Sequence, residues 1–416
     1  MKTGTFRLES VGTAPLTTAQ KKVIVAAFLG WMLDAFDFFL LVFALPSIAA
    51  TFGVGVPAVA YAIFLTLAMR LVGAFVFGRL ADRFGRRPLL MLDIVSYSVL
   101  GALAAFAPSL TVFLVMRALF GVAMGGEWGL GAALTMESVP PSWRGRVSGI
   151  LQCGYPAGYL LAAVVFGVFY GTTLFGVTIG WRQMFLFSLL PAALVLYIRS
   201  HVGESPTFEQ AQGAPRPAAL AALRANWRLA LYAIALMMFF NLFSHGTQDL
   251  YPVFLEKQHG FASHTVSMLA VVANLGAIAG GLLFGAWSER IGRRNAITIA
   301  ALLVLPAIPL WAYASTPVLL AAGAFVMQFA VQGAWGVVPV HLNELSPGVL
   351  RATLPGFVYQ AGNLLASYNA PLQARLAEAP GHSYGSALAW WAGVVGVAVA
   401  VLIRFSPERR GAVMHD

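Results

Sequence analysis

"GRLADRFGRR", residues 78–87, returns as "GAWSERIGRR", residues 285–294. Both copies keep a Gly, an acid four places on, an Arg beside it, and a closing Gly-Arg-Arg. Two further matches share the same separation of 207. "ESVPPSWRG" at 137–145 becomes "ELSPGVLRA" at 344–352, and Trp128-Gly129 becomes Trp335-Gly336. Three matches at one spacing, half of the 416-residue chain, indicate duplication of a single unit.

Apolar sequence flanks each copy of the repeat. The chain is 59% hydrophobic and 10% charged, with mean hydropathy +0.78. Soluble domains carry about 25% charged residues, so a bilayer is the expected solvent. Runs of about 20 apolar residues, enough to cross it as helices, recur from end to end. Twelve such spans are expected, near 23–48, 56–77, 89–107, 110–136, 147–170 and 181–199, then 229–253, 263–284, 296–314, 316–341, 353–374 and 384–403. The first reads as a span rather than a cleaved signal. Residues 1–200 form an N-terminal six-helix bundle, 201–226 a Pro- and Ala-rich cytoplasmic linker, and 227–416 a C-terminal six-helix bundle.

The net charge of +10 follows from topology. Of 26 Lys and Arg, 21 lie at the termini or in alternate loops. The positive-inside rule then places both termini in the cytoplasm and the chain in the cytoplasmic (inner) membrane. No nucleic-acid partner is needed to account for the charge. Cys153 is the single cysteine, which excludes an intrachain disulfide and a cysteine metal cluster. No cofactor, metal site or nucleophile–base–orienter set is visible, so an enzyme is not expected. The glycines fall within apolar runs, where small residues let helices approach closely.

Charges inside spans are costly and usually serve function. Asp34 and Asp37 lie in span 1, Arg70 in span 2, Arg117 and Glu127 in span 4. Counting in from the cytoplasmic loops at ~1.5 Å per residue puts Arg70 at ~12 Å, Glu127 at ~15 Å and Asp34 at ~18 Å. A lone guanidinium at mid-depth suits a carboxylate ligand, although Arg70 could instead neutralise Asp34 or Glu127. Glu127 has two readings, proton handling and balancing Arg70. Span 7 carries "NLFSHGTQDLY", residues 241–251, in which Asn241, His245 and Asp249 recur every four residues along one helix face. Such a stripe cannot face lipid. A His and a carboxylate along a wet path are natural proton-binding groups, with helix glue and a solvated Asp249 as the structural alternative. Span 11 adds Gln360 and Asn363.

The duplicated Gly-x-x-x-Asp-Arg-x-Gly-Arg-Arg loop resembles the signature of the major facilitator superfamily. That resemblance implies an all-α membrane protein with twelve transmembrane helices in two repeats around a central cavity. It makes Asp82, Arg83, Arg86 and Arg87 gating and structural residues. "RxxxGxxxGG" from Arg117 resembles the superfamily's span-4 motif, with Arg117 and Asp37 as structural or relay partners. The span-7 stretch resembles the signature of lactate permeases in the sialate:proton symporter family, except that Val253 stands where that signature ends in Thr. The resemblance implies proton-coupled uptake of short monocarboxylates such as lactate and pyruvate, by a protein functional as a monomer. Arg70, Asn241, Gln360 and Asn363 would bind substrate, while His245, Asp249, Asp34 and Glu127 would handle the proton. The alternatives are sialic or aromatic acids on the same fold, or a nutrient sensor that does not transport.

Overall fold

The computed structural model describes residues 15–140, 143–174, 176–204, 224–346 and 354–408. The side chains of Asp82 and Arg83 and most of the expected 201–226 linker lie outside that description. The described chain is helical apart from a two-stranded antiparallel hairpin between spans 5 and 6, where Thr173 pairs with Thr178 and Leu174 with Val177. Among the described residues, eleven helices are long and apolar enough to cross a membrane. This is a multi-pass membrane protein.

Span 11 departs from the expected single helix over 353–374. It is two short helices, Leu354–Ala366 and Asn369–Glu378, and neither is long enough alone. Pro371 has no amide hydrogen to return to Ser367, so the ladder breaks there. Span 7 breaks by the same chemistry. Trp227–Gln248 stops before Tyr251–Lys257, and Pro252 cannot reach the Gln248 carbonyl. Span 10 divides into Pro317–Trp335 and Val338–Leu345 ahead of Pro339. Span 4 divides at Gly125-Gly126, between Leu110–Met124 and Glu127–Ser138. Span 1, Thr18–Phe52, runs unbroken for 35 residues.

The repeated motif is mostly helix, not loop. Span 2 covers Val56–Phe84 and span 8 covers Ser263–Ile291, so each extends through its copy of the motif. The connection shrinks to one glycine, Gly85 at φ 102° and Gly292 at φ 90°, a conformation that favours Gly. Span 3 (Arg86–Leu103) and span 9 (Arg293–Ala312) start immediately afterwards. A carboxylate caps each start. Glu204 accepts from the Arg86 and Arg87 amides at 3.0 and 3.2 Å, and Glu408 accepts from Arg293 and Arg294 at 3.1 and 3.0 Å. Negative charge at a helix N-terminus meets unsatisfied N–H groups and the positive end of the dipole. Arg87 and Arg294 complete the match by donating to the Arg199 and Arg404 carbonyls. In the second copy, Arg293 also pairs with Glu289 at 2.8 Å and Glu344 at 3.2 Å.

Glycine sets how near spans 2 and 4 come. A Cβ on Gly73 would lie 1.9 Å from the Val122 carbonyl oxygen, and one on Gly125 would lie 2.3 Å from that of Arg70. Backbone contact at this point seats Arg70 beside the break in span 4.

Candidate functional site

Arg70 donates from Nη2 to Asp34 Oδ1 at 2.7 Å, and the two residues are 3% and 0% exposed. The guanidinium therefore carries a resident counter-charge from span 1. Nη2 also meets Met124 Sδ at 3.4 Å, while Arg70 Nε and Asp34 Oδ2 are buried without a hydrogen-bond partner. Tyr359 of span 11 (Leu354–Ala366) and Tyr155 of span 5 (Gly154–Phe169) stand within electrostatic reach of both Arg70 and Asp34. The Tyr155 hydroxyl also senses Asp249 and has no partner. A buried donor or acceptor left unpaired costs about 1–3 kcal/mol. Several such groups gather around Arg70.

The span-7 stripe splits into two faces. Ser244, Thr247 and Gln248 turn to span 10. Gln248 Nε2 donates to Gln328 Oε1 at 2.6 Å, Gln328 Nε2 to Thr247 Oγ1 at 3.2 Å, and Gln332 Nε2 to Ser244 Oγ at 3.3 Å. This amide lattice fixes span 7 against span 10, so that part of the stripe is helix glue. His245 and Asp249 form the other face, with His245 Nδ1 3.1 Å from Asp249 Oδ1. Asp249 is 0% exposed, which overturns the picture of an acid wet at the outer interface. Its Oδ2 has no partner. The Phe38 ring lies 5.6 Å from the His245 ring and 5.9 Å from Arg70 Cζ.

Other expected site residues fall less centrally. Asn241 donates to the Met237 carbonyl of its own helix at 2.8 Å. Gln360 and Asn363 bond weakly to each other at 3.5 Å, leaving Asn363 Oδ1 buried and unpaired. It is their neighbour Tyr359 that approaches Arg70. Asp37 and Arg117 are both buried and share a neighbourhood without a hydrogen bond between them. Arg117 instead stacks over Phe120 at 3.8 Å. Glu127 lies against span 1, where a Cβ on Gly30 would sit 2.1 Å from its Oε1.

Sequence reasoning missed Tyr155, Tyr359, Asp93, Gln328 and Gln332. The two glutamines stand four apart in an apolar run, the same signal that exposed the span-7 stripe. Tyrosine gives no such signal, since it is ordinary within membrane helices. Asp93 (Arg86–Leu103) sits near a span end, where an acid reads as solvated, yet it is fully buried.

Access to this site requires movement, because its members are 7% exposed or less. At the hairpin end, Arg375 donates to the hydroxyls of Tyr61 and Tyr368, tying span 2 to span 11. At the motif end, Trp128 and Trp335 approach Tyr359 at 4.9 and 5.9 Å.

Comparison with known proteins fits this architecture. The description "Major Facilitator Superfamily" matches residues 27–261, and "Sugar (and other) transporter" matches 217–408. A carboxylic acid transporter protein homolog of Saccharomyces cerevisiae is 28% identical over 90% of this chain, which spans 64% of that protein's length. A probable 4-methylmuconolactone transporter of Cupriavidus pinatubonensis is 32% identical, covering 84% of this chain and 82% of its own. Among solved structures, the xylose transporter of E. coli in a partially occluded inward-open conformation superposes with TM-score 0.77. It is 17% identical and covers 95% of this chain and all of that one, a likeness of fold alone.

Proposed function

Because the chain belongs to the Major Facilitator Superfamily, we propose that it is a proton-coupled symporter that brings a small organic acid into the cell. Its substrates would be short monocarboxylates of the lactate and pyruvate class. The buried Arg70–Asp34 pair carries this reading. A substrate carboxylate is the natural ligand for a planar guanidinium fork. Its arrival sets two anions on one cation, and two carboxylates at close quarters cannot both stay ionised. Asp34 therefore takes up a proton as the substrate binds, which ties one event to the other. His245 and Asp249 supply that proton from the hairpin side, Tyr155 stands between the two groups, and Asn241, Gln360 and Asn363 hold further substrate oxygens. The motif end, the 201–226 linker and both termini face the cytoplasm, with 1–200 and 227–416 as the two moving bundles of a monomer.

A second reading has an observation of its own. Phe38, Tyr155 and Tyr359 surround Arg70 with rings, which suits an unsaturated or aromatic acid. Uptake of radiolabelled lactate into proteoliposomes under an imposed inward proton gradient, competed by pyruvate, acetate, benzoate and sialic acid, separates the two. The symport reading expects accumulation that an uncoupler abolishes and that pyruvate inhibits best. Inhibition by benzoate alone selects the aromatic acid, and uptake indifferent to the gradient sinks proton coupling.

A further inference from the structure

Asp93 is a fully buried acid whose two carboxylate oxygens meet no side-chain donor, with the Gly126 backbone amide beside them. Span 3 presses it into the break of span 4, where a Cβ on Gly126 would lie 2.6 Å from Asp93 Oδ1. The side chain of Glu127, the next residue, stands within hydrogen-bonding reach of Asp93, and its Oε2 is likewise unpaired. Two carboxylates offer four acceptors and no donor. Their contact becomes a hydrogen bond only when one of them carries a proton.

The surroundings sharpen that requirement. The groups facing the pair are Asp34 from span 1, Arg70 from span 2 and Tyr97 from span 3 itself. Arg70 is the single cation of this set, and its 2.7 Å contact is to Asp34. Tyr97, one turn beyond Asp93, is 0% exposed, and its hydroxyl has no partner. It senses both Glu127 and Asp93. Doubly ionised, the pair would place two uncompensated charges in a dry interior. With one proton shared, a single charge remains, facing Arg70 and the N-terminus of Glu127–Ser138.

We propose that Asp93 and Glu127 bind one proton between them and form the step by which Asp34 passes its proton toward the motif end of the protein. This rests on the symport reading above. When Arg70 recovers Asp34 after substrate leaves, Asp34 must ionise. As Asp34 gives its proton to Glu127, Asp93 releases the proton the pair already held, so one proton stays shared throughout; Asp93 lies closer to the motif end, seven residues, ~10 Å, into span 3.

The test begins without any substrate. Infrared difference spectra of the purified protein between high and low pH report protonated carboxyl groups directly. The wild type is expected to show a titrating carboxyl band whose midpoint moves by about one pH unit or more in both Asp93→Asn and Glu127→Gln, as a shared proton requires. The band should vanish in the double variant. A midpoint unmoved by either single change, or a band that survives the double change, overturns the pair. Either single variant suffices if the other does not fold. In proteoliposomes, Asp93→Asn should lower gradient-driven lactate accumulation at least tenfold and leave lactate exchange intact; equal loss of both makes Asp93 structural and overturns its role in the relay. A wild type that carries lactate without regard to the gradient overturns the symport reading instead, and the infrared result still decides the pair.

Discussion

At the scale of single residues, Arg70 carries the most chemistry. Its Nη2 holds Asp34 while its Nε stands unpaired in a buried site. Arg70→Lys keeps the charge and can keep Asp34, but loses the fork that grips a carboxylate through two parallel bonds. One charge-assisted hydrogen bond contributes roughly 1.5–3 kcal/mol, so substrate affinity should fall about 10- to 100-fold with folding preserved. Unchanged affinity in equilibrium binding would reduce Arg70 to a counter-charge for Asp34. Asp249 offers a separate test. Asp249→Asn fixes the neutral form and keeps a polar side chain beside His245. Gradient-driven accumulation should be lost while substrate exchange across the membrane continues. Accumulation with the wild-type pH dependence, rising as external pH falls, would make the His245–Asp249 pair structural and leave Asp34 and Glu127 as the proton groups.

At the scale of elements, the breaks place the chemistry. Among the described residues, spans 4, 5, 6, 7, 10 and 11 are divided into shorter helices, and in spans 4, 7 and 11 the interruption falls beside a site residue. Asp249 caps the first part of span 7, Glu127 opens the second part of span 4, and Tyr368 marks the turn of span 11. Freed backbone groups at membrane depth are tolerated where protein or a cavity surrounds them. The caps on spans 3 and 9 work the other way, by making helix starts rigid. Glu204→Gln removes the negative charge from the Arg86 and Arg87 amides, and partial exposure limits the cost to about 1 kcal/mol. The purified protein should melt a few degrees lower, and Glu204→Gln combined with Glu408→Gln should show an additive loss, since one cap sits on span 3 and the other on span 9. An unchanged melting curve for the double variant would mean that the arginine amides find other acceptors.

At the scale of the molecule, both ends of the central path are bridged between spans from different repeats. Arg375 joins Tyr61 and Tyr368 at the hairpin end, and Trp128 meets Tyr359 at the motif end. The Lys257–Glu378 pair at the hairpin end is well exposed, at 39% and 33%, and adds little. One set of contacts must open while the other holds if a ligand is to cross. Orientation is testable on its own. In a Cys153→Ala background, single cysteines at Ser200 and Thr172 should label from opposite sides of the membrane, Ser200 from the cytoplasm. Labelling of both from one side would refute the proposed topology.

Composition and the two-part repeat were enough to determine the class of fold and its multi-pass character, because each is a one-dimensional consequence of a bilayer solvent; the spacing of charges gives the proposed sense in which the spans face. The span-7 stripe and Arg70 stood out for the same reason: polar chemistry in an apolar run is costly, so it announces itself. The tertiary structure decided what the linear pattern leaves open. It gave Arg70 to Asp34, turned Ser244, Thr247 and Gln248 away to span 10, buried Asp249, and brought Asp93 to Glu127 across the Gly125-Gly126 break. It also drew Tyr155 and Tyr359 to the centre from spans with no visible charge. Partnership between helices depends on rotation and approach, which small residues such as Gly73 and Gly126 set. A sequence records that those residues are small, but only the packed structure records what comes close because of it.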